Sequence, residues 1–241
     1  MERIQKVISN SGYCSRRKAE ELINLGKVFV NGEKATIGMS VSDSDIIEVN
    51  NEVIKKDTDN KVYFLLNKPR GVVTTSNDEL GRKTVVDLID TDKRIYPVGR
   101  LDYDTTGVLL LTNDGELTNK LTHPKNNIEK VYIAKVEGII TGSDITRLKN
   151  GVVIDNNFKT SKARVKLKSY DKKTQTSLVE LTIHEGHNHQ VKKMFESIGY
   201  KVIKLSRIRF AYLDVKSLKS GEYRMLSVKE VKRLYGLLSG K

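Results

Sequence analysis

An arginine and two carboxylates stand close together in Gly99-Arg100-Leu101-Asp102-Tyr103-Asp104-Thr105-Thr106-Gly107. The stretch runs straight into Val108-Leu109-Leu110-Leu111 and closes on the turn-forming Asn113-Asp114-Gly115. An unbroken apolar run between two turn signals predicts a buried strand. Polar groups at the mouth of such a strand are held rigidly, as a reacting group has to be. Asp102 then has three readings. An Asx-turn, or a surface pair with Arg100, is the common fate of a loop aspartate. Calcium would take Asp102, Asp104, Thr106 and Gly107 as the start of an EF-hand loop, but the twelfth position is Asn113, which supplies no bidentate carboxylate. The third reading is a nucleophilic or charge-stabilising carboxylate in an active site.

A second candidate is His184-Glu185-Gly186-His187-Asn188-His189-Gln190-Val191-Lys192-Lys193-Met194-Phe195, where three of the four histidines gather. The zincin pattern requires histidine at position 188, which is asparagine, and no nearby cysteine completes a tetrahedral set, so no metal site is expected. Val191, Met194, Phe195 and Ile198 instead keep the spacing of a helix packed on the core, with Gly199 as its stop. His189, Gln190, Lys192 and Lys193 fall around its exposed first turns. Tyr132 lies in a β-like segment, Ile128 to Val136, and by itself reads as a core tyrosine. Val202 to Phe210 alternates apolar and basic residues, as a strand with one wet, basic side would.

The elements that position these groups follow from pattern. Ile4, Val7 and Ile8 predict a helix ended by Gly12. Ser15 caps a second helix carrying Ala19, Leu22 and Ile23 on one face and stopped by Gly26. Val28 to Val30 and the residues after Asn31-Gly32 predict a hairpin with a type I′ turn. Arg16-Arg17-Lys18 oppose the dipole of the second helix, an arrangement that suits either a bound phosphate or a solvated basic face. Asn51 to Lys61 is polar and aperiodic and reads as a linker that lets the two parts move independently. Val62 to Leu66 predicts a buried strand, Thr84 to Ile89 a short helix or turn, and Leu117 and Leu121 a brief helix before Pro124. Residues 138–182 read as strands and loops without chemistry. Ser227 and Glu230 form a capping box, and Leu226 and Val231 a hydrophobic staple, for a closing scaffold helix.

With 241 residues, 38% hydrophobic and 30% charged, the chain is long enough for one large or two modest domains with a real core. It has no apolar run long enough for a transmembrane helix and no signal-peptide segment at Met1. The single cysteine, Cys14, fits a reducing cytosol and a half-buried packing position. Its 43 basic against 30 acidic residues give a net charge of +13, which favours a polyanionic partner, nucleic acid or an acidic membrane surface.

Residues 99–107 resemble the signature of the ribosomal-RNA pseudouridine synthases of the RsuA/RluB type. The resemblance places that family's essential aspartate on Asp102. Asn67-Lys68-Pro69-Arg70-Gly71 is similar to the segment that begins the family's catalytic domain. Glu129-Lys130-Val131-Tyr132 is similar to its Glu-Lys-x-Tyr, whose tyrosine lies against the target base, and so implicates Tyr132. Residues 185–194 resemble its third block, in which a basic residue pairs with the aspartate; that role falls on Lys192, with His189 and Lys193 as substitutes. The chain departs from the commoner arginine at His187, His189 and Lys192, and lysine lacks the bidentate fork of arginine. Arg100 is expected to brace the turned-out nucleotide or its phosphate, and Asn188, Gln190 and Leu205 to contact the substrate. The N-terminal part resembles an RNA-binding module shared with a small-subunit ribosomal protein, Gly26 to Gly32 matching its turn. RNA binding is therefore expected at Arg3, Arg16, Arg17, Lys18 and Lys27, and in the second part at Lys193, Arg207 and Arg209.

The resemblance implies an α+β chain. A helix–helix–hairpin RNA-binding module with its linker spans 1–60, and a catalytic domain at 61–241 has a mixed, largely antiparallel sheet and flanking helices. It implies conversion of uridine to pseudouridine in ribosomal RNA with no cofactor, nearer the large-subunit branch than the small-subunit one. The enzyme is expected to be cytoplasmic, monomeric and off the membrane. Asp102 would attack the sugar or base or assist glycal formation, held ionised by Lys192. The rival reading is a ribosome-binding protein that uses the same basic surfaces without chemistry.

Overall fold

The computed structural model describes residues 1–55, 61–155 and 157–239. The chain divides into two compact units. One holds the described part of Met1–Val62 with two short segments, Thr91–Arg94 and Asn113–Gly115, and the other holds the remainder.

In the first unit α1 (Ile4–Asn10) and α2 (Arg16–Asn24) pack on a four-stranded sheet that includes β1 (Val28–Val30) and β2 (Ile47–Val49). Ser15 caps α2, its hydroxyl accepting from the Lys18 amide at 3.1 Å. Asn31 and Gly32 both adopt positive φ between Val30 and Glu33, as a type I′ turn requires. Ile4, Ile8, Ala19, Leu22 and Ile23 meet Val28, Val30, Ile47 and Val49 in one apolar core, and Cys14 is partly buried against it. Part of the expected linker is structured: Glu52–Val53 pairs with β2. Residues 56–60 of that linker lie outside the described residues.

The second unit is built on a nine-stranded sheet. Its main path runs β6 (Arg164–Asp171), β7 (Thr176–Ile183), β5 (Lys130–Glu137), β8 (Val202–Phe210), β4 (Thr106–Thr112), β3 (Tyr63–Lys68) and β9 (Tyr223–Met225). Every pairing along it is antiparallel except β8 with β4, which is parallel. α3 (Gly115–Thr122) and α6 (Val228–Ser239) bury Leu117, Leu121 and Leu234 against Leu65, Val108, Leu110 and Phe210. The capping box of α6 forms as expected, Ser227 and Glu230 exchanging side-chain and backbone hydrogen bonds. Residues 138–182 are not only strands and loops, because Gly142–Asn150 forms α4. Its start is a capping box between Thr141 and Asp144, and Leu148 is its buried residue. With little apolar periodicity, its sequence signals were the cap, the basic last turn with Arg147 and Lys149, and the Gly151 stop.

Candidate active site

β3, β4, β8 and β5 carry one register row across the sheet: Lys68 opposite Gly107, Gly107 opposite Arg207, and Arg207 opposite Tyr132. Gly107 is the hinge of this row. Its φ is +106°, and a Cβ there would overlap the Arg207 carbonyl. Glycine is thus required for the parallel β4–β8 pairing that follows the aspartate loop.

The loop before β4 is held by its own carbonyl groups. Lys68, fully buried, donates from Nζ to the carbonyls of Pro69 (3.0 Å), Asp102 (3.1 Å), Tyr103 (3.5 Å) and Thr105 (3.0 Å). The Gly71 amide also donates to the Tyr103 carbonyl at 2.9 Å, and the buried Thr74 hydroxyl to that of Leu101 at 2.6 Å. Burial pushes the Lys68 pKa down to about 8, against the charges of Asp102 and Asp104, which raise it. The sequence pointed to Lys68 only as part of a family segment. A lysine in the parity of a buried strand was the sign of its role.

Asp102 leans on α5 (Gln190–Glu196). Its Oδ2 lies 3.2 Å from Lys192 Nζ and 3.7 Å from His189 Nδ1. Lys192 also donates to Asp104 at 2.6 Å, a partner that sequence reasoning did not assign. Burial pulls the Lys192 pKa down, but hydrogen bonds to Asp104 and Asp102 outweigh it and hold the ammonium above its ordinary value. Desolvation works against ionisation of Asp104, and the Lys192 hydrogen bond and charge more than offset it, so that carboxyl is lowered. Lys193 does not face the loop: it is paired with Asp155.

Asp102 opens on a cavity of about 860 Å³, room enough for a nucleotide. Arg100, Tyr132, Asn188, His189 and Leu205 also line it. Arg100 and Asn188 are exposed, and Tyr132 and Leu205 are buried in the wall. Two expectations need correction. Gln190 is buried rather than on an exposed turn: its Oε1 accepts from the His187 amide at 2.9 Å and its Nε2 donates to Glu185 at 2.5 Å. It braces the loop that carries Asn188 and His189. Arg207 is not on a wet face but 2% exposed, lining the same cavity. It has the parity of Leu205, and a bulge that skips Ile208 changes the phase of β8 before the exposed Arg209. Arg3, Arg16, Arg17, Lys18 and Lys27 are all exposed on the first unit, Lys18 paired with Glu21 at 2.8 Å.

The histidines go to three different partners. His184 Nδ1 meets the Asn127 carbonyl at 2.9 Å, His187 packs its ring on Phe158 with centroids 3.9 Å apart, and His189 is near Asp102. Among the described residues no group of three or more His, Cys, Asp or Glu is arranged to hold a metal ion.

A carboxylate braced by a cation, beside a tyrosine and an aliphatic side chain in a nucleotide-sized cavity, fits chemistry on a turned-out base. Comparison with known proteins decides what kind. Residues 62–197 match the RNA pseudouridylate synthase family, and residues 2–47 match the S4 domain. The chain belongs to the RNA pseudouridylate synthase family. Over 239 residues this synthase is 54% identical to the ribosomal large subunit pseudouridine synthase B of Bacillus subtilis (strain 168), covering 98% of this chain and 97% of that protein. It is 38% identical over 237 residues to the dual-specificity RNA pseudouridine synthase RluF of Escherichia coli (strain K12), covering 98% and 79%. Among solved structures, a pseudouridylate synthase crystal structure aligns with a TM-score of 0.69 at 32% identity, over 97% of this chain and all of that one. The synthase is therefore an isomerase with an S4 domain at its N-terminal end. Among the described residues none of its helices is long and apolar enough to cross a membrane.

Proposed function

We propose that this synthase converts uridine to pseudouridine in ribosomal RNA, with the large-subunit RNA as its target, acting as a cytoplasmic monomer without a cofactor. The observation that carries the reading is Asp102, 3.2 Å from Lys192, in a cavity shared with Tyr132 and Leu205. The 54% identity to the ribosomal large subunit pseudouridine synthase B of Bacillus subtilis supports the choice of RNA.

Asp102 is the reacting carboxylate, and Lys192 orients it while Asp104 fixes Lys192 from the other side. Tyr132 and Leu205 hold the base, and Arg100 and Asn188, at the rim, brace the nucleotide. The uridine has to leave its stack to enter, at a cost of a few kcal/mol that basic contacts to the backbone offset. Residues 1–60, with Arg3, Arg16, Arg17, Lys18 and Lys27, supply many of those contacts, and residues 61–241 carry the chemistry. Lys193 and Arg209 add backbone contacts in the catalytic part.

The test is tritium release from ribosomal RNA labelled at uracil carbon 5, with large- and small-subunit RNAs assayed separately and also as immature subunits. Wild type is expected to release tritium from the large-subunit substrate alone. Asp102→Asn is expected to release none while binding RNA within about twofold of wild type, since it removes only a group needed in the transition state. Turnover by that variant would overturn the assignment of Asp102, and release from the small-subunit RNA would overturn the choice of target.

A further inference from the structure

Arg207 brings a guanidinium, a five-donor group with no acceptor, into the fold, where it is 2% exposed. Its Nε donates to the Val108 carbonyl at 2.8 Å, its guanidinium carbon lies 5.1 Å from the centre of the Phe210 ring, and among the described residues its buried Nη2 has no hydrogen-bond partner. A second cation stands in the same cavity wall. Lys130 Nζ donates to the carbonyls of His184 (3.0 Å) and Glu185 (3.4 Å), and its pKa is pushed down to about 8 by burial and then by the charge of Arg207. The carboxylate that opposes this, Glu185, is committed elsewhere: its oxygens accept from Gln190 Nε2 and from the amide and hydroxyl of Ser161. The fold thus sets a buried guanidinium and a half-buried ammonium in one cavity wall, with neither ion-paired among the described residues, which is unfavourable unless something in the reaction requires it.

We propose that Arg207 and Lys130 hold the carbonyl oxygens of the target uracil and stabilise the negative charge the ring acquires during the reaction. The inference rests on the reading of Asp102 and its cavity given above. When the bond between ribose C1′ and uracil N1 breaks, its electron pair leaves with the base and spreads from N1 onto O2 and O4. After the ring turns, C5 supplies the pair for the new C1′–C5 bond. The C5 proton then passes to solvent, and N1 takes a proton back. If Asp102 instead adds to ring carbon 6, the displaced pair again collects on a carbonyl oxygen. On either route the negative charge grows on ring oxygens. Preorganised cations held in the cavity wall are suited to that task because they need no reorientation as the charge develops. Tyr132 sits opposite Arg207 on the same face of the sheet, which brings the expected base-stacking ring and the guanidinium together.

The experiment compares single-turnover rates of C1′–C5 bond formation on protein-free large-subunit ribosomal RNA transcribed with uridine or with 5-fluorouridine, by digestion and mass spectrometry. The fluorinated ring has no C5 proton to lose, so its carbon-linked product keeps fluorine on C5 and takes up water, hydroxyl at C6 and hydrogen at N1. Fluorine withdraws electrons from the ring, so the fluorinated base carries negative charge more readily. Arg207→Met is expected to slow the uridine reaction by about 10²–10³-fold, the usual loss for one oxyanion donor. Its defect on 5-fluorouridine should be at least about tenfold smaller, with RNA affinity within about twofold of wild type. Asp102→Asn should be inactive on both RNAs. A folded Arg207→Met with equal defects on the two substrates overturns the proposal and leaves the assignment of Asp102 standing. Should that variant not fold, Lys130→Met carries the same comparison, with Lys130→Arg expected to recover most of the rate. Failure of wild type on both RNAs, presented protein-free and in immature subunits, overturns the proposed function and this inference with it.

Discussion

Lys68 is the residue on which the Asp102 loop depends most, and under the proposed function it ties activity to pH. Its ammonium, not the free amine, satisfies the carbonyls of residues 69, 102, 103 and 105, because only the charged form has three protons to donate. Its folded pKa of about 8 lies below the ordinary 10.5, so between those values the unfolded chain binds more protons than the folded one. In that window this group makes stability rise with pH, while the loop that presents Asp102 loses a donor. Lys130, also pushed down to about 8, acts in the same direction. Single-turnover rates should therefore fall above about pH 8 while the melting temperature of the same samples shows no parallel loss from these groups. Lys130→Arg, charged throughout the range, isolates the share that belongs to Lys68. A rate that stays level to about pH 9.5 in wild type would refute the argument.

At the scale of elements, the decisive contact is the parallel seam between β4 and β8. It joins the aspartate loop to the strand that carries Leu205 and Arg207, and it exists because Gly107 lacks a side chain. Gly107→Ala must both accept a positive φ and displace the Arg207 backbone. The two effects together should cost about 3 kcal/mol or more in urea unfolding, and turnover should be lost with the seam. A loss within about 0.5 kcal/mol, the range of an ordinary surface substitution, would show that the strands separate freely.

At the scale of the whole molecule, the net charge of +13 is not uniform in its consequences. Arg207, Lys68 and Lys130 are drawn into the fold, whereas Arg16 and Arg17 stay exposed at the start of a helix whose cap leaves amide groups available to an anion. If they contact RNA phosphates, replacing both with alanine should weaken RNA binding and reduce the slope of log affinity against log salt by about 1.5. Turnover at saturating RNA should be unchanged. An unaltered slope would mean that the S4 segment binds through other residues.

The sequence alone was enough for whatever is local or contiguous. The Ser15 cap, the Asn31-Gly32 turn, the α6 capping box and the buried run into β4 each depend on neighbouring residues, so their chemistry is readable in order along the chain. The signature around Asp102 was legible for the same reason, as was the block that brings Lys192 to it. What needed the tertiary structure was every role set by a partner far away in sequence. Lys68 reads as one more basic residue until β3 places it under the carbonyls of residues 102–105. Gln190 reads as exposed until Glu185 and His187 enclose it. Arg207 reads as an RNA-facing charge until the register of β8 between β4 and β5 puts it in the cavity wall beside Leu205, while the bulge at Ile208 leaves Arg209 exposed. Hydrophobic periodicity specifies which face of a strand is buried only while the strand stays regular and its buried positions stay apolar. The cavity beside Asp102 breaks both conditions at once, which is why Arg207 in its wall was the strand residue the pattern misplaced.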